Sequence, residues 1–115
     1  MKTIKIIVLC VSALFATKAS AMDGNELKEL ADAYIRAELN KYTSKYDVGN
    51  AGKFVGYIGG VIEAYPFSTF CQPQGVTQGQ QFAIVTKYLN DNPAKLHLLA
   101  SELIFEAMAQ AEGVN

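Results

Sequence analysis

The sequence predicts an all-α protein, a small bundle of about four helices. Three observations predict it. Apolar residues recur at i, i+3 and i+4 in four separate stretches, capping patterns stand at the heads of those stretches, and no stretch alternates apolar and polar residues as a half-buried strand would. The connections between stretches are short, which favours antiparallel neighbours.

Residues 1–21 lie outside this pattern and read as a cleavable export signal. Lys2 and Lys5 form a charged start, and Ile6 to Ala16 is an apolar run too short to span a bilayer. Ala19-Ser20-Ala21 then makes an A-x-A cleavage site. Cys10 sits inside the apolar run behind Leu9 and is not a lipidation site. The expected address is the bacterial periplasm, with the folded domain comprising residues 22–115. Removing residues 1–21 from the 115 leaves 94, enough for one small domain of marginal core. That domain carries seven basic against eleven acidic residues, a balance of −4. It has no basic run, which argues against nucleic acid, and no second hydrophobic stretch of membrane-spanning length. An acidic surface suits a cationic protein partner.

The first helix opens at Asp23-x-x-Glu26, a capping box, and carries Leu27, Leu30, Ala31, Tyr34 and Ile35 on one stripe. It is expected to reach Leu39 to Tyr42, with "TSKYDVGN" as a polar loop behind it. The second helix carries Phe54, Val55, Ile58, Val61, Ile62 and Tyr65, and Pro66 helps to stop it. After the loop "PFSTFCQPQGV", Thr77-x-x-Gln80 is a second capping box. It heads a helix with Phe82, Val85 and Leu89 on one side and Ile84 and Tyr88 beside them. Asn92 and Pro93 then suit the cap and first position of a fourth helix. Its inward face is expected to be Leu96, Leu99, Ala100, Leu103, Ala107 and Ala111.

Little in this chain suggests catalysis. His97 is the only histidine and reads as a packed or capping residue. A dyad of Cys71 with His97 is the one nucleophile–base pair the composition allows, and nothing in the sequence orients it. Glu26 with Glu29, and Glu102 with Glu106, read as solvated helix faces. Zinc would need several Cys and His ligands, so neither a metal nor another cofactor is expected. Binding is better supported. Tyr46 and Asp47 in "SKYDVG", and Phe67 and Phe70 in "PFSTFC", are candidate partner contacts, because loop aromatics are expected at the surface. Gly52, Gly56 and Gly60 fall every fourth residue, so they share one side of the second helix and let another backbone approach. Close packing against a helix of the same chain is the first expectation, a subunit interface the second.

Three ordered segments, "GYIGGV", "CQPQGVTQGQ" and "KYLNDNPAKLHLLASELIFEAM", resemble the Rap/Tai family of type VI secretion immunity proteins. The resemblance rests on Gly56-Tyr57-Ile58, Gly60-Val61, Cys71, Pro73, Gly75-Val76-Thr77 and Gln80. It continues through Tyr88-Leu89, Asn92-Pro93, Leu96-His97 and Ala100, and "DGNEL" resembles the family's opening. It spans about Asp23 to Met108 and makes Tyr57, Cys71, Pro73, Thr77 and Gln80 structural motif residues. It implies a small helical periplasmic homodimer that binds a cognate peptidoglycan amidase effector and inhibits it by occluding its active site. Further cysteines that staple the helices of such proteins are absent here, a loss of about 2–5 kcal/mol in small secreted domains. Cys71 is then either a buried remnant of that framework or an intermolecular bridge. The other function considered is a periplasmic structural or chaperone-like helical protein.

Overall fold

A computed structural model of the chain describes residues 21–41, 44–64 and 76–111, and these hold four α-helices. Helix α1 spans Gly24–Glu38, α2 Lys45–Ala64, α3 Gln78–Asp91 and α4 Ala100–Ala111, with a single 3-10 turn at Pro93–Lys95. The fold class is all-α, as the periodicity predicts.

Asp23 caps α1, its carboxylate accepting the Glu26 N–H at 2.9 Å. The helix buries Leu27, Leu30, Ala31 and Ala33, while Ile35, expected on this stripe, is exposed. It ends sooner than expected. Asn40 adopts a left-handed φ of 54°, and the Lys41 N–H donates to the Arg36 carbonyl at 2.8 Å while the Asn40 N–H donates to Ala37. This is a Schellman stop, with asparagine in the place glycine usually takes.

Helix α2 begins at Lys45, inside the segment expected to be loop. Its buried residues are Asp47, Ala51, Phe54 and Ile58, spaced by four, three and four, so the stripe facing α1 begins two turns earlier than the apolar pattern indicates. The packing of α1 against α2 is the most extensive between any two elements. Val55, expected inside, is largely at the surface.

Helix α3 starts where the capping box places it. The Thr77 hydroxyl accepts the Gln80 N–H at 3.2 Å, and the Gln80 side-chain oxygen accepts the Thr77 N–H at 2.8 Å. It buries Phe82, Val85, Tyr88 and Leu89. Tyr34, Phe54 and Phe82 meet at centroid distances of 5.2, 5.4 and 5.9 Å, tying α1, α2 and α3 with tilted and edge-on rings.

The fourth helix departs most from expectation. Asn92 does not cap its start; the Asn92 side-chain amide donates to the Tyr88 carbonyl at 2.8 Å and closes α3 instead. Pro93 opens only the 3-10 turn, and α4 begins at Ala100. The intervening backbone bonds to the N-terminal segment. Gly24 and Asn25 donate to the carbonyls of Leu98 and Leu96, each at 2.9 Å, and Ala100 donates to the Met22 carbonyl at 2.9 Å. Carbonyls used this way cannot serve a continuous helix. Leu99 is consequently exposed, and His97, which the sequence placed as packed or capping, is exposed too, as is Ala111 at the end of α4. Leu103, Ile104, Ala107 and Met108 supply α4's inward face.

A polar cluster links α3 to α4. The Tyr88 hydroxyl donates to the Glu106 carboxylate, and the Lys95 ammonium donates to the Tyr88 oxygen at 3.3 Å and to Glu106 at 3.5 Å. Glu106 is therefore more than a solvated face. Burial, followed by the bond to Glu106, pushes the Tyr88 pKa above its ordinary 10.0, although Lys95 opposes the shift.

Two outcomes test this architecture. A Cβ at Gly24 would collide with the Leu103 side chain and come within 2.8 Å of the Leu96 backbone. Gly24→Ala should therefore destabilise the domain by about 1–3 kcal/mol in urea titrations. A phenol whose folded pKa is raised is stabilising below its unfolded pKa and loses that contribution as pH rises through the folded value. Stability should therefore fall from near pH 10 upward, and Tyr88→Phe should flatten that alkaline limb.

Candidate partner-binding surface

The corner where α1 turns into α2 is held by a two-pronged ion pair. Arg36 Nε donates to Asp47 Oδ2 and Arg36 Nη2 to Asp47 Oδ1, each at 2.9 Å. The fork geometry matches guanidinium to carboxylate and leaves one mutual orientation. The hydrogen bond to Asp47 raises the Arg36 pKa above its ordinary value, against the opposing effect of desolvation and with further support from Asp47 and Asp32 charge. The Asp47 side chain is 10% exposed, the Arg36 side chain 43%. Asp47 is thus an internal anchor, which corrects its assignment as a partner contact. It could not be told from a surface acid by sequence, because its partner lies eleven residues away on another helix.

The same anchor turns Tyr46 outward. Tyr46 lies in the first turn of α2 rather than in a loop, and it is 81% exposed. Leu39, at the end of α1, and Val48 are also exposed large apolar residues. Sequence reasoning missed both. The signal for Leu39 was its place just before a helix-stopping asparagine, and for Val48 its position off the Phe54–Ile58 stripe. Tyr46 and Val48, two residues apart, leave opposite flanks of the stripe that faces α1. Phe67, Phe70, Cys71 and Pro73 lie outside the described residues. Tyr57 is half-buried against the core, and Thr77 with Gln80 forms the α3 cap.

Among the described residues nothing packs against the glycine face of α2. A Cβ built at Gly52, Gly56 or Gly60 would meet nothing within 4 Å, and all three are exposed. The expected intrachain close packing is not found among the described residues, where α1 covers the opposite side of α2 through Asp47, Ala51, Phe54 and Ile58. Among the described residues no three of His, Cys, Asp and Glu gather as metal ligands, and no helix is long and apolar enough to cross a membrane.

Comparison with known proteins identifies a family. The family model described as Rap1a immunity proteins matches residues 23–111, which takes in all four helices and both sides of the corner. Neither the curated proteins nor the solved structures yield a match.

Proposed function

The chain belongs to the Rap1a immunity protein family, and on that premise we propose that it neutralises a peptidoglycan amidase delivered by type VI secretion. It acts in the periplasm after removal of residues 1–21, and it works as a stoichiometric inhibitor rather than as an enzyme. Membership implies an immunity protein against a secreted effector; the choice of an amidase comes from the resemblance of the ordered GY, CxPxGVT and NP segments to amidase-directed members. The family match over residues 23–111 is the observation that carries the reading.

Occlusion suits a domain of this kind. A protein inhibitor blocks a cleft by placing a rigid side chain where substrate would lie, and rigidity lowers the ordering cost of binding. Tyr46 meets that need, being outward-facing on a turn pinned by the Arg36–Asp47 fork. The homodimer that the resemblance implies has an open face at Gly52, Gly56 and Gly60, where a second backbone can approach closely.

Two measurements test the proposal. The mature chain should abolish cell-wall hydrolysis by the secreted amidase encoded beside its gene at about one inhibitor subunit per enzyme, and undiminished hydrolysis at excess inhibitor overturns the reading. Light scattering should return a dimer mass for the mature chain and a monomer mass for Gly56→Leu, which fills the open face.

A further inference from the structure

We propose that two copies of this chain pair through α2 in an antiparallel register, the exposed valines of one subunit seated on the glycines of the other. This rests on the homodimer proposed above and assigns its contact. Lys45, Val48, Gly52, Val55, Gly59 and Ile62 recur at alternating spacings of three and four, so they form one seam along α2. The seam lies about 100° round the helix from the stripe of Asp47, Ala51, Phe54 and Ile58 that faces α1. Val48 is 53% exposed and Val55 36%. A Cβ at Gly52 or Gly59 meets nothing within 4 Å, and half-buried Ile62 joins the far end of the seam to the core.

The seam is complementary to itself. A two-fold axis crossing α2 between Lys53 and Phe54 lays Val55 of one subunit on Gly52 of the other, and Val48 on Gly59. Symmetry makes each contact twice. Large meets small in each of these layers, which lets facing helices interdigitate without voids. Gly49 and Gly56 follow one flank of the seam, and a Cβ at either would also meet nothing, so that flank leaves room for a second backbone.

Charge selects the antiparallel direction. Of the charged residues on α2, Asp47 is turned to Arg36, and Lys53 points about 130° away from the seam. Lys45 and Glu63 remain, both exposed and without an ion pair among the described residues. The register that seats valine on glycine also brings Lys45 beside Ile62 and Glu63 of the other subunit. A parallel pair would set Lys45 against Lys45 and Glu63 against Glu63, which like-charge repulsion opposes. An unrelated protein would have to supply this complement by itself, whereas a second copy supplies it by symmetry. Tyr46 leaves the other flank of the α1-facing stripe, so the pairing keeps it free for the effector.

The test uses the mature chain carrying Cys71→Ser, so that only introduced thiols can pair, and circular dichroism checks that each variant keeps its helices. Val48→Cys mixed with Gly59→Cys should give a disulfide-linked dimer on oxidation, and neither variant should link to itself. In the antiparallel pair, identical positions lie about 16 Å apart along the helices, beyond disulfide reach. Lys45→Glu should raise the dimer dissociation constant about tenfold at low salt, and adding Glu63→Lys should restore it. Self-linking of either cysteine variant alone, or no rescue by the second charge reversal, overturns the antiparallel register. A dimer mass for the wild type with no cross-link in the mixture overturns this contact while the homodimer stands. A monomer mass for the wild type removes the homodimer and this contact together. Loss of amidase binding in Lys45→Glu at unchanged dimer mass gives the seam to the effector and overturns the pairing.

Discussion

The pairing of Arg36 with Asp47 is the constraint on which the outer surface depends. It joins the last turn of α1 to the first turn of α2 through two parallel hydrogen bonds. Its geometry fixes how the end of α1 meets the first turn of α2. Ion pairs of this kind supply little net stability, because desolvation offsets the attraction. Orientation is what two fixed bonds provide. With Asp47 inside, helical geometry carries Ala51, Phe54 and Ile58 inward and leaves Tyr46 and Val48 outside.

A second constraint sits at the other end of the molecule. Residues 22–25 bond to the backbone of residues 96–100, and an isolated bridge pairs Asp23 with Leu99. Gly24 permits this approach because no side chain separates the two backbones. The contact satisfies the free N–H at the start of α4 and stops the fourth segment from becoming one long helix. Backbone groups at helix ends must find partners, and here the partners come from the opposite end of the chain.

Between these constraints α2 bears an unusual surface. Each glycine in a helix interior costs about 1 kcal/mol against alanine, yet Gly52, Gly56, Gly59 and Gly60 meet nothing that a side chain would obstruct. Packing among the described residues gives no return for that cost, which is the physical reason the proposed dimer contact is placed on this face. Immunity function asks for recognition surfaces rather than a reactive centre. The fold accordingly concentrates its distinctive features on the outside of the α1–α2 hairpin.

Much of this was legible from local chemistry. The caps at Asp23 and Thr77 needed only residues within one turn. The stripes through Leu27, Leu30 and Ala31, and through Phe82, Val85 and Leu89, follow from helical periodicity and the gain from burying apolar area. The order of motifs also sufficed to indicate the family. What tertiary structure decided was every assignment that hinged on a distant partner. Asp47 became an anchor because Arg36 meets it, the fourth helix began only at Ala100 because the Leu96 and Leu98 carbonyls were taken by Asn25 and Gly24, and Gly56 stayed open because α1 packed on the other side. Those outcomes depend on groups far apart in sequence. The sequence by itself determined a family and four helices; only the packing decided which of their faces remain free to bind.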